Sequence, residues 1–303
     1  MHVSKLALLV ALSGGGKAGN IISPNPNTIA AASGFDIQPS TVMVSSFIPA
    51  LFGLGMAVLL ATLVQHRGQV VTMDDLNGGE NASAKSGGKA SRELPSIGRA
   101  MVAPAIAVVL LLINPLGSVL GIKALTMFQV DAMYILPFAA IVGLLAMGQG
   151  RRILDYTKAG IARMIDVVMI LIGAGALGGL ITSSDLPDQI VRLITAAGVP
   201  GALLAPIAGI LMAAATVSTS TGVILGASSF GETILAFGTT PVAAAVTMQA
   251  GATVIDALPH GNYFHVSAKS MNMSIGERLG VLPFEALVGL TMTVVAVVLN
   301  IVF

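Results

Sequence analysis

Apolar runs long enough to cross a bilayer recur along this chain, and they decide what it can fold into. A membrane helix needs about 20 predominantly apolar residues, and in lipid every backbone polar group must be satisfied within the protein. Val42–Val64, Ala100–Ile122, Met133–Met147, Ile165–Ile181, Pro241–Leu258 and Val281–Phe303 read as such runs. Val199–Phe237 is too long for one simple helix. With a broken element at the start, the count is about eight membrane elements. Charged residues make up 10% of the 303 positions, where a soluble domain carries about 25%. The expectation is an all-α polytopic membrane protein with broken helices and a re-entrant hairpin.

The same composition narrows function. A net charge of +1 gives no case for nucleic acid as a partner. With no cysteine, disulfides, thiolate metal sites and catalytic thiols are excluded. No Ser/His/Asp order, zinc spacing or paired-carboxylate pattern points to catalysis, and no metal or other cofactor is called for. Gly14-Gly15-Gly16-Lys17 is not a phosphate-binding loop, because Ala11 stands at the required glycine and Ala18 replaces the Ser or Thr. Met1–Leu12 is too short an apolar run, with the wrong sequel, for a signal peptide.

Three parts are expected. Residues 1–64 hold a broken helix and one span, 65–99 form a hydrophilic linker, and 100–303 carry about six further membrane elements. The centre of the linker, 77–89, is rich in Gly, Ser, Ala, Asn and Lys, the composition of a flexible tether. Arg67, Lys85, Lys89, Arg92 and Arg99 place it on the cytoplasmic side, and a second basic loop (Arg151, Arg152, Lys158, Arg163) follows two spans later on the same side. Past Ile165 the orientation is ambiguous.

Polar, backbone-breaking stretches inside this apolar chain point to a solute site. The first is 13–32, where Gly and Pro argue against a continuous helix. Asn20, Ser23, Asn25, Asn27 and Thr28 supply uncharged amides and hydroxyls there, and half-helix N-termini beside them would suit a carboxylate. A polar loop outside the membrane is the plain alternative. Lys17 either neutralises an anionic solute or snorkels to the interface. The second stretch is Thr216–Thr221, with Thr216, Ser218, Thr219 and Ser220 as candidate contacts. These hydroxyls could instead bond back to their own helix. Ile29–Phe35 and Ile224–Phe230, each following a broken stretch, form a faint internal repeat or a chance likeness. Gly173, Gly175, Gly178 and Gly179, followed by Thr182–Asp185, read either as a hairpin or bent helix or as a close-packing face. Asp256 and His260, four apart, would share a helix face and could relay protons. Pro259 allows the plainer reading of a helix end facing water. His265 reads as an interfacial residue.

These residues resemble the gluconate permeases, proton-coupled symporters for sugar acids. Ser23-Pro24-Asn25-Pro26-Asn27-Thr28 resembles the family's Pro-Pro-His-Pro-Gly-Pro motif. Thr216-Val217 resembles part of its Gly-Ser-Ala-Thr-Val-Ala segment. His260, Asn262 and then Met273-Ser274-Ile275-Gly276-Glu277 resemble its Ser-His-Val-Asn and Met-Ser-Val-Gly-Glu stretches. Asn25 replaces the family's His, Asn27 its Gly, Thr28 its last Pro, and Tyr263 stands at its Asp. The resemblance implies an inverted-repeat transporter in the bacterial inner membrane, incomplete because further helices precede the Pro-rich motif in the family. It implies proton symport of a small organic anion, with Asp256, His260 and Asn262 supporting the site or the proton step. A homo-oligomer is compatible with this reading. The competing readings are a non-transporting fragment that needs its missing helices and, from a different class, an intramembrane enzyme.

Overall fold

The computed structural model describes residues 3–71, 96–127, 130 and 132–302, and among them the architecture is all-α. The first four helices are α1 (Lys5–Ile21), α2 (Pro26–Gly34), α3 (Pro39–Ser45) and α4 (Phe47–Leu63). After a one-turn helix at Ile97–Ala100 come α5 (Val102–Leu120), α6 (Ala132–Ala146), α7 (Ile153–Thr182) and α8 (Leu186–Ala196). The last group is α9 (Leu204–Thr216), α10 (Thr219–Ala236), α11 (Pro241–Ala252), α12 (Asn262–Ser270), α13 (Ile275–Leu279) and α14 (Leu282–Val297). Among the described residues, two helical stretches are long and apolar enough to cross a membrane, Lys5–Gly34 and Ile275–Val302. The pair α3–α4, bent by 49°, makes a third if taken as one span. Residues 72–95, with Lys85, Lys89 and Arg92, lie outside the described residues, and so does the core of the expected cytoplasmic linker.

Several expected spans are broken for identifiable reasons. Val42–Val64 is two helices because Pro49 has no N–H to offer and its ring crowds the carbonyl four residues back, at Ser45, where α3 stops. The expected break over 13–32 shrinks to Ile22–Asn25, since α1 runs unbroken through Gly14-Gly15-Gly16. Glycine costs a helix about 1 kcal/mol relative to alanine. Gly14 offsets that by letting α1 close on α4, for a Cβ there would collide with the Ala57 side chain. Likewise α7 is one helix of 30 residues through its glycine run, and the chain turns only at Ser183–Asp185 before α8. At Gly173, Gly175 and Gly179 nothing lies within 4 Å of an added Cβ, so these glycines mark no close contact among the described residues.

Helix α11 is the axle. Every residue from Ala243 to Ala252 is buried, on all faces, as expected of a helix enclosed by others. Its small side chains let α9 cross it closely. A Cβ on Gly209 would fall onto the Met248 carbonyl, and one on Gly251 onto the Pro206 carbonyl. One core cluster joins α2, α3, α9, α10 and α11 through Phe35, Val42, Met212, Phe230 and Met248. A second joins α1, α4 and α14 through Leu9, Val10, Leu60, Val288 and Met292. The two stretches of the faint repeat meet within the first cluster, with Gly34 of α2 closing on the Ala227 side chain of α10.

Candidate functional site

Three helix interruptions converge. The first, Ile22–Asn25, separates α1 from α2. Pro24 and Pro26 push their predecessors out of the α region. Asn25 then caps α2, its side-chain oxygen accepting from the N–H groups of Asn27 (3.0 Å) and Thr28 (3.2 Å). The Asn25 amide donates to the Asn20 carbonyl, to Asn20 Oδ1 (2.6 Å) and to Ser23 Oγ (2.8 Å), so the break is tied off internally.

The second interruption, between α9 and α10, is only two residues. Val217 takes a left-handed conformation (φ 48°, ψ 42°), rare for a β-branched residue, and packs onto Gly261. Ser218 is extended and caps α10, accepting from Thr221 N–H at 3.2 Å. The Thr216 hydroxyl donates back to the Met212 carbonyl at 2.8 Å. The third interruption is 253–261, where α11 stops at Ala252 and the chain crosses to α12.

Asp256, from the third break, bridges the other two. Its Oδ1 pairs with the Lys17 ammonium of α1 at 2.5 Å, and its Oδ2 accepts from Thr219 Oγ1 at the start of α10 at 2.7 Å. Lys17 also donates to the Thr253 carbonyl at the end of α11. The two charged side chains are 7% and 13% exposed, so this pair sits inside the protein. The snorkelling alternative for Lys17 is therefore wrong: its ammonium turns inward to a carboxylate. The pairing is complementary to the helix ends. An N-terminus faces the anion and a C-terminal carbonyl faces the cation.

A cavity of about 380 Å³ opens against this pair, lined by Ser13, Lys17, Asn20, Ser218, Thr219, Asp256 and Tyr263 among others. A larger one, about 660 Å³, lies between Ile29, Ile37, Met133, Leu136 and Pro137. Its lining has Ser33 and Asp36 among apolar side chains but no charged pair, and none of the three breaks reaches it. A ligand site needs convergent polar groups as well as volume, which favours the smaller cavity.

Of the residues singled out in the sequence, Asn20, Ser218, Thr219 and Asp256 line this cavity. Asn25 and Ser23 are engaged in the first break, while Asn27 and Thr28 are buried beneath it. Thr216 and Ser220 are half-buried beside the second. His260 and Asn262 are exposed and outside the lining. The shared helix face proposed for Asp256 and His260 does not exist, because α11 ends at Ala252 before either is reached. Sequence reasoning passed over Ser13 and Tyr263, and it missed a second buried pair. Arg278 makes two parallel bonds to Glu285 (2.9 and 3.0 Å) and a third to Ser267 Oγ (2.8 Å). A charge inside a membrane chain was the available signal for both pairs.

Broken helices meeting at a polar, charged cavity in an all-α polytopic membrane protein define a candidate solute site. The chain is 40% identical over 294 residues to an uncharacterized transporter of Haemophilus influenzae. The match covers 97% of this chain and 66% of that relative, so the chain spans under two thirds of the relative's length. The similarity is thus to a protein named as a transporter. No family model matches the chain. No solved structure matches it.

Proposed function

We propose that this chain carries the solute site of a secondary active transporter that moves a small organic anion, a sugar acid such as gluconate, by proton symport. The observation that carries the reading is the Lys17–Asp256 pair at the meeting of three helix breaks, on the wall of a polar cavity. Lys17 is the cation available there to a single carboxylate, and Asn20, Ser13, Ser218, Thr219 and Tyr263 offer neutral partners to hydroxyl groups. A proton taken up by Asp256 cancels the charge that holds Lys17. The ammonium then turns to the carboxylate of the solute, and solute and proton travel together. The resemblance to gluconate permeases and the transporter relative support this reading. In this reading Asp256, not His260, which is exposed and outside the cavity lining, carries the proton.

The test is gluconate uptake into proteoliposomes under an imposed pH gradient, acid outside. Uptake should rise with the gradient. Asp256→Asn should leave residual uptake that ignores it, while His260→Ala should keep the wild-type dependence. Wild-type uptake indifferent to the gradient would eliminate proton coupling. Failure to move any sugar acid would eliminate the substrate class.

A further inference from the structure

We infer that Lys17 is a tethered monovalent cation, its ammonium filling a metal-ion position built by the C-terminal end of α11 and Asp256. The inference stands on this cluster alone and does not depend on which solute is carried. The ammonium contacts two oxygens, the Thr253 carbonyl at the α11 cap and Asp256 Oδ1 at 2.5 Å. Thr219 Oγ1 holds the other carboxylate oxygen at 2.7 Å and keeps the group aimed. Hard alkali cations take oxygen ligands of these two kinds, a helix-end carbonyl and a carboxylate. The cavity beside it would admit the waters needed to complete a coordination shell. Here the positive charge arrives on a side chain of α1 instead, so no dissolved ion is needed. Removing the Lys17 side chain leaves the negative oxygens facing one another with room for a small cation.

The experiment compares the thermal unfolding midpoint of the purified protein in choline chloride with that in lithium, sodium or potassium chloride at equal ionic strength. The wild type should give the same midpoint in all four. Lys17→Ala should melt lower in choline and recover, saturably, with one of the alkali cations. Lys17→Ala combined with Asp256→Asn should show no recovery. The inference is overturned if Lys17→Ala ignores every alkali cation, if the double variant recovers equally, or if the wild type itself gains from one cation specifically. Should Lys17→Ala not survive purification, radioactive sodium, lithium-competed and potassium-competed, can be bound to membranes carrying Lys17→Ser. Saturable binding above wild type under one of these ions supports the assignment, and binding equal to wild type refutes it.

Discussion

At the scale of single residues, the two buried ion pairs have different jobs. Arg278 is fully enclosed, with Glu285 2% exposed, and its guanidinium also lies 5.0 Å from the Phe264 ring centre and 5.6 Å from that of Tyr263. All its directed contacts are inside the protein, and it joins α12, α13 and α14. Removing one member of such a pair strands the other, which costs about 3–5 kcal/mol. Arg278→Met should therefore lower the unfolding midpoint sharply. Pairing it with Glu285→Leu should restore much of the loss, since two apolar groups replace a desolvated pair. Equal destabilisation by the single and double variants would show that the charge pairing is not what matters. The Lys17–Asp256 pair borders a cavity, so Asp256 stranded by Lys17→Met keeps Thr219 and gains water. Its midpoint should fall less than that of Arg278→Met, although transport is lost. The sequence hid both pairings: Lys17 and Asp256 lie 239 positions apart, and nothing local to either names its partner.

Among the elements, the crossing of α9 over α11 sets the position of the loop that delivers Asp256. Gly209→Ala would press a methyl onto the Met248 carbonyl and to 3.0 Å from the Ala252 nitrogen. Overpacking of this kind costs about 1–3 kcal/mol and here also displaces the end of α11. Gly15→Ala on α1 meets nothing within 4 Å, so it should stabilise by up to about 1 kcal/mol. Thermal midpoints of the two variants should move in opposite directions, and a fall for both would contradict the packing described. The same contrast explains what was legible. Pro24 and Pro26 announce the first break, and the hydroxyl run at 216–221 announces the second, because both signals act locally. Glycine does not, since it either ends a helix or lets another approach, and only the neighbour decides. The runs at 14–16 and 173–179 thus suggested bends where the helices are continuous. The apolar run Pro241–Leu258 outlasts its helix, which ends at Ala252, so the face Asp256 and His260 would share does not form.

For the whole molecule, apolar run length and scarce charge made the class legible, and the convergence of the breaks was not, because it depends on three long-range crossings around α11. The outward apolar side chains of α7, among them Ile161, Met169, Ile172 and Leu180, suit lipid surroundings. The proposed solute site is the cavity beside Lys17 and Asp256. The chain has no cysteine, so one introduced thiol reports alone. Gly16 lines the cavity, is exposed, and has nothing within 4 Å of an added Cβ, which makes Gly16→Cys a benign probe. The decisive measurement is the rate at which a small charged methanethiosulfonate labels Gly16→Cys in membranes, with and without gluconate. Gluconate should slow labelling while an uncharged polyol does not, and adding Lys17→Met should abolish the protection. Labelling that no sugar acid or other small carboxylate slows, in a variant that still takes up solute, would place the site elsewhere.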